Sequence, residues 1–273
     1  MKNYEKTILS HYKGQAETMG KSECSTTPDV TVRKMEIEAI INYLDFFLEK
    51  KIIPSNAKIL DIGCGNGNTL EVISKKYADF HLVGVDYTSE MVNIAKERLL
   101  PNVEFYQGDV RALSFSDETF DLVISERCVI NVMDWNDQKV AITQINRVLN
   151  KGGMTLFIEG FDDALINLND ARKEFGLDPI PTPHHNLFFK KSLLLPFLDG
   201  KFEVISPKYF QNETLADFNF MSSHYFTSRV VHPMLVKLMG TPDHRNSHFV
   251  KFFAEALKPV GNYSFVQLLV LKK

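Results

Sequence analysis

Lys58-Ile59-Leu60-Asp61-Ile62-Gly63-Cys64-Gly65-Asn66-Gly67-Asn68 runs from an apolar strand pattern, through an acid, into three glycines on alternate positions. It closes on a polar residue able to open a helix. Glycines serve where a backbone must bend sharply and where a ligand must come close to the main chain. The stretch therefore reads as a binding turn of nucleotide type at the carboxyl end of a first strand.

Outward from this turn, strand and helix patterns alternate. Apolar runs at 59–62, 81–85, 103–106, 122–124 and 154–158 predict strands. Between them, 68–77 places Leu70, Ile73 and Tyr77 on one helical face, and Thr88 is positioned to cap a helix over 89–100. Asp134 opens a longer helix through Ala141, Ile145 and Val148, stopped at Lys151-Gly152. Upstream, 33–50 has helical spacing at Ile37, Ile40, Ile41, Leu44, Phe47 and Leu48. Five alternations predict an α/β fold with a mostly parallel sheet and helices on both faces. Past Gly160 the chain turns rich in histidine, proline and aromatics. Helical stretches are expected near 162–175, 190–199, 214–226, 230–239 and 247–258, with late strands at 202–210 and 264–271.

The 273 residues fit one α/β domain with a large embellishment. A net charge of -3 gives no basic footprint for nucleic acid. Cys24, Cys64 and Cys128 have no metal or redox spacing, which suits a reducing compartment. No stretch reaches the roughly 20 apolar residues of a membrane span. The expectation is a cytoplasmic protein with no membrane partner.

A dinucleotide fingerprint is G-x-G-x-x-G, whereas Gly63, Gly65 and Gly67 give G-x-G-x-G. Asp61 would stand beside a dinucleotide's pyrophosphate, anion against anion, and suits a ligand bearing an ammonium group instead. Asp86 ends the next strand at the usual place of a ribose-diol acceptor. Asp109 ends the third, where it can accept from an adenine amine.

At these residues the chain resembles the class I S-adenosylmethionine-dependent methyltransferases. Asp61-Ile62-Gly63-Cys64-Gly65-Asn66-Gly67 is similar to their first motif, Val85-Asp86 to the second and Gly108-Asp109-Val110 to the third. Phe120-Asp121-Leu122-Val123-Ile124-Ser125 resembles their fourth strand, and Arg147-Val148-Leu149-Asn150-Lys151-Gly152-Gly153 the turn before the fifth. The resemblance covers about 55–160 and implies a Rossmann-like fold with a mostly parallel seven-stranded sheet and a helical insertion or cap. It divides the chain into an N-terminal helical lid (1–54), a cofactor-binding core (55–160), a substrate-binding helical elaboration with a late strand (161–263) and a final core strand (264–273).

The resemblance implies S-adenosylmethionine as cofactor, with S-adenosylhomocysteine as product. Asp61 with Gly63, Cys64, Gly65 and Asn66 would hold the methionine moiety, Asp86 the ribose, and Asp109 and Val110 the adenine. Ser125, Glu126 and Arg127 would line the sulfonium side. Tyr87 and Met91 either line the adenosine pocket or simply pack. Tyr12 or Arg33, in the lid, would touch the cofactor's carboxylate.

The methyl acceptor is expected to be a small polar molecule, methylated on a hydroxyl, such as a sugar or natural-product metabolite. A hydroxyl acceptor benefits from a general base near neutral pKa. Pro181-Thr182-Pro183-His184-His185-Asn186 offers His185 first and His184 second, with Glu126 as a further catalytic candidate. Asn167, Arg172, Asn186, Tyr225 and Arg229 are the substrate-binding candidates. No metal is expected, because Asp162 and Asp163 lack the Asp-Asn pair of metal-dependent relatives. Competing readings are an RNA or protein methyltransferase, an NAD-dependent oxidoreductase and a non-catalytic cofactor-binding protein. The oligomeric state, monomer or homodimer, stays open.

Overall fold

The structure is a computed structural model and describes residues 2–212, 215–241 and 245–273. Two helices lead in, α1 (Asn3–Met19) and α2 (Val30–Glu49). The alternating core follows as β1 (Lys58–Ile62), α3 (Asn68–Lys76), β2 (His81–Asp86), α4 (Ser89–Lys96), β3 (Val103–Gln107), β4 (Phe120–Glu126), α5 (Trp135–Val148) and β5 (Leu149–Gly160). The remainder contributes α6 (Asp162–Glu174), α7 (Lys191–Leu198), β6 (Glu203–Ile205), α8 (Ser222–Phe226), α9 (His232–Met239), α10 (His248–Ala256) and β7 (Val266–Lys272).

The seven strands lie in the order β3-β2-β1-β4-β5-β7-β6, with β1 to β5 parallel and β7 antiparallel to β5 and β6. This is the Rossmann-like sheet that the motifs imply. Period-two alternation sends β1 side chains to opposite faces. Ile59 meets Tyr43, Leu44 and Phe47 of α2, while Leu60 and Ile62 join Ile142, Ile145 and Val148 of α5. Strand order reverses between β1 and β4, the switch point at which open α/β sheets form a ligand crevice.

Several boundaries differ from expectation. α4 stops at Lys96 because Leu99 takes φ 52 and Pro101 disfavours helix in the residue before it. Thr88 makes no side-chain cap; its N–H instead donates to Asp86. The late strand expected over 202–210 is reduced to β6, and 207–211 form turns. The helix expected near 214–226 begins only at Ser222, while residue 214, like His244, lies outside the described residues. Within 1–54, α2 packs on the core sheet and sends Arg33 to the crevice, which α1 and the 23–29 loop also line.

The buried stripe of α2 is Arg33, Glu36, Ile40, Tyr43, Leu44 and Phe47, turned from the purely apolar stripe that periodicity suggests. Ile37 and Ile41 are only half-buried. Tyr43 and Phe47 anchor the helix on the sheet, which carries Arg33 and Glu36 down to the end of β4.

Candidate functional site

A cavity of about 610 Å³ opens at the switch point. The glycine turn, the ends of β1, β2 and β4, α1, the 183–188 segment, Tyr225 and Arg229 all line it. The turn is built by backbone geometry. Gly63, Gly65 and Gly67 have φ of 69, 52 and 77°, in the left-handed region. The N–H groups of Gly63 and Cys64 both donate to the Val85 carbonyl, at 2.7 and 3.1 Å. A Cβ on Gly63 would sit 2.6 Å from the Cβ of Cys128, so the loop after β4 packs where a side chain would go.

Three acids reach this end of the cavity. Asp61 is buried, and among the described residues no donor reaches its carboxyl group. Burial and the nearby Glu126 and Asp86 carboxylates push its pKa well above the usual range, with Arg33 offsetting them only in part. Asp86 accepts from Gly65 N–H at 2.9 Å and Thr88 N–H at 2.8 Å, leaving lone pairs for a diol. Asp109 caps the short turn Val110–Ala112 by accepting from Arg111 N–H, and its two oxygens also pair with the Arg111 guanidinium. Most of its acceptor capacity is thus already used. Val110 and Tyr87 line the cavity beside it.

Beyond β4 the site is a buried ion network. Arg33 pairs with Glu126 and donates to Thr69 Oγ1 at 2.6 Å; Thr69 donates to Glu126 at 3.0 Å. Arg127, held at φ 53, lies 3.3 Å from both Glu36 and Glu126. Burial opposes ionisation of Glu126, yet Arg33 and Arg127 hold its pKa below the ordinary value. Burial raises Glu36 to about 8. Glu126 is therefore an ionised counter-ion locked between two guanidinium groups, which is a poor starting point for a proton acceptor.

A second network adjoins the first, one turn before Arg33 on α2. Asp29 caps α2 through Val32 N–H at 3.1 Å and meets Arg229 at 3.0 Å and His224 at 3.4 Å. Arg229 lies over the Tyr225 ring, 3.7 Å from its centroid. Arg229 belongs to the π-turn Thr227–Val231, an irregularity that recurs at functional sites.

Of the residues expected to form the site, most converge on this cavity. Tyr12, Arg33, Asp61, Gly63, Cys64, Gly65, Asn66, Asp86, Tyr87, Asp109, Val110, Glu126, Arg127, His185, Asn186, Tyr225 and Arg229 line it. Five do not. Met91, on α4, is fully buried and packs. Ser125 is buried and donates to Glu159 at 2.5 Å. His184 is exposed outside the lining. Asn167 is exposed on α6 and donates to the Asn262 carbonyl, and Arg172 is spent on the carbonyls of Asp178 and Arg229. Two lining residues also have structural work. Asn66 donates to the carbonyls of Gly20 and Ser22, tying the 20–22 loop to the glycine turn, and Tyr12 donates to Asn131 at 3.2 Å.

Sequence reasoning missed Glu36, Thr69, Asp29, His11 and Glu159. Glu36 was visible as an acid one turn from Arg33 on an otherwise apolar face. Glu159 was visible as an acid inside an apolar strand. Its carboxylate accepts from the N–H groups of Cys128, Val129 and Ile130, and so fixes the loop after β4 against the glycine turn. Burial pushes its pKa up to about 7, against the pull of those donors.

Residues 59–153 match the family described as the methyltransferase domain. A ubiquinone/menaquinone biosynthesis C-methyltransferase of Campylobacter jejuni is 28% identical over 166 residues, 58% of this chain and 65% of that protein. A demethylmenaquinone methyltransferase of Staphylococcus aureus is 33% identical over 110 residues, 39% of this chain and 44% of that protein. The chain thus matches less than two thirds of the length of either relative. Among solved structures, the [4+2]-cyclase SpnF has a TM-score of 0.52 at 19% identity, covering 85% of this chain and 80% of that one. A SAM-dependent methyltransferase from Methanosarcina mazei has a TM-score of 0.52 at 18% identity, covering 83% and 96%. These two likenesses show the fold. With its motifs in order around the switch point, the chain carries over 59–153 a methyltransferase domain of the S-adenosylmethionine-dependent kind.

Proposed function

We propose that this chain transfers a methyl group from S-adenosylmethionine to a small polar molecule bearing an acidic hydroxyl. The observation that carries the reading is that one cavity is lined by two chemically distinct groups of side chains, which we assign as a cofactor end and an acceptor end. The first is Asp61, which no donor among the described residues reaches, with the half-satisfied Asp86; the second is Arg127, Tyr225, Arg229, His185 and Asn186. Asp61 would take the cofactor's ammonium group, and Asp86 its ribose hydroxyls. The cofactor supplies an electrophilic methyl on a sulfonium.

At the other end the chain's own residues favour an oxyanion. A guanidinium within about 4–6 Å lowers the pKa of a hydroxyl by favouring its charged form. Arg127 and Arg229 are the cations available, the first steadied by the buried carboxylate of Glu126 and the second by that of Asp29. With the cofactor held by Asp61 and Asp86, the acceptor oxygen kept ionised beside Arg127 and Arg229 would accept its methyl group, the hydroxyl proton having left to solvent. Holding the partners in line can supply roughly 7–11 kcal/mol of the barrier.

His185 as a general base fits less well than the sequence suggests. Burial and the neighbouring His11 ring lower its pKa to about 4, far from the near-neutral value an efficient base needs. His185→Ala is accordingly expected to lower kcat by less than about tenfold, where loss of a general base costs roughly 10²–10⁴-fold. Initial rates with a turned-over acceptor decide it; a loss of a thousandfold would restore His185 as the base.

The relatives favour a second form of the same reading. One is named as a C-methyltransferase of quinone biosynthesis. An ionised ring hydroxyl is nucleophilic at oxygen and at the adjacent carbon, so the same cavity serves either outcome. The test is S-adenosylhomocysteine release with a panel of phenols, hydroquinones and polyols, followed by NMR of the methylated product. Release with none of them, from protein that binds the cofactor, would favour a non-catalytic binding protein.

A further inference from the structure

We propose that His11, His184 and His185 form a binding site for one divalent transition metal of the zinc or cobalt kind, at the mouth of the cavity. One ring nitrogen from each of the three histidines lies within 4.8 Å of the other two. The rings of His11 and His185 stack with centroids 3.9 Å apart, and His184 stands edge-on to both, at 5.8 and 5.0 Å. Histidines on unrelated surface segments have no reason to converge in this way.

Two parts of the chain more than half its length apart bring them together. His11 projects from α1, while His184 and His185 occupy the centre of a turn closed by Asn186 N–H donating to the Pro183 carbonyl at 2.9 Å. The following N–H, of Leu187, donates to the Ile130 carbonyl at 2.7 Å, which fastens the turn to the loop after β4. Pro181 and Pro183 stiffen the approach. A second observation points the same way. Nδ1 of His185 is buried and has no hydrogen-bond partner among the described residues, although buried polar groups are nearly always paired.

The ligand set selects the metal. Three imidazoles with no carboxylate in the group suit zinc, cobalt or nickel, and not magnesium or calcium, which prefer oxygen. Metal–nitrogen bonds of about 2.0–2.1 Å in a tetrahedral site put the nitrogens about 3.3 Å apart, so ligation turns the His11 and His185 rings out of their stack and rotates the exposed His184 ring toward them. Three protein ligands leave the fourth position open, toward the cavity that His11 and His185 line. A metal held there would also join α1 to the 183–186 turn and hold that side of the mouth shut. The sequence concealed the site because its ligands share no local spacing.

The test uses Co²⁺ as the probe on the full chain, freed of metal by chelation and dialysis. The expected result is one equivalent bound, with the visible absorption of a four-coordinate nitrogen-and-oxygen site. His11→Ala and His184→Ala should each weaken Co²⁺ by more than the roughly 10–100-fold that loss of an outer partner costs. His81→Ala, on the exposed start of β2, should bind as the unaltered protein does. Circular dichroism checks that each variant is folded; His184 is exposed, so its variant keeps the test decisive if His11→Ala fails to fold. No Co²⁺ band, or a band equally present in His184→Ala, would overturn the proposal. Metal binding is read without any turnover, so this result stands apart from the identity of the methyl acceptor.

Discussion

Asp61→Asn is expected to weaken S-adenosylhomocysteine binding by roughly 10- to 150-fold. The substitution keeps the shape of the side chain and removes its charge. A hydrogen bond to a charged group contributes roughly 1.5–3 kcal/mol, and 1.4 kcal/mol is a factor of ten. The Asp61 carboxyl is buried, faces Glu126 and Asp86, and has no donor among the described residues, so its pKa stands well above the usual value. An incoming ammonium group supplies the missing counter-charge and favours the ionised form. Binding therefore lowers the pKa of Asp61 and releases a proton wherever the empty site is still partly protonated. Titration calorimetry in buffers of different ionisation enthalpy reads this directly: the apparent heat should depend on buffer for the unaltered protein and lose that dependence in Asp61→Asn. Equal affinity of the two proteins would remove Asp61 from the binding site.

Gly63→Ala is expected to destabilise the fold by roughly 2–5 kcal/mol. Two costs add. The residue sits at φ 69, where a side chain costs roughly 1–2 kcal/mol. Its Cβ would also stand 2.6 and 2.7 Å from Cβ and Sγ of Cys128, an overpacking worth roughly 1–3 kcal/mol. Cys128 cannot move away cheaply, because its own N–H is held by Glu159 at 3.1 Å. Gly65→Ala is the internal comparison. Its Cβ would meet only Thr26 Cγ2, at an ordinary 3.5 Å, so it should lose the backbone cost alone. Urea unfolding of the two variants separates these contributions, and equal losses would show that the contact with Cys128 is not limiting.

Much of this was legible in the sequence, for identifiable reasons. The parallel core follows from apolar runs punctuated by helical spacing, and the cofactor end from an acid and three glycines within seven residues. Those signals are local, because one strand and its following turn make each of them. The acceptor end is assembled instead from α1, α2, the turn at 183–186 and the π-turn, and its key contacts join distant residues. Asp29 meets Arg229, Glu36 meets Arg127, and His11 stacks on His185. No spacing rule reaches across such separations. Asn167 and Arg172 looked like substrate ligands because polar side chains on a helix are indistinguishable from fold-holding ones until their partners are seen. Arg172, which reaches the Arg229 carbonyl, braces the π-turn rather than a ligand.

The most direct test is a calorimetric titration of the purified chain with S-adenosylhomocysteine and, separately, with NAD⁺. The spacing of Gly63, Gly65 and Gly67 and the buried, acid-flanked Asp61 predict saturable binding of S-adenosylhomocysteine at one site per chain and no heat of binding with NAD⁺. Saturable NAD⁺ binding with no response to S-adenosylhomocysteine would contradict the assignment of this cavity.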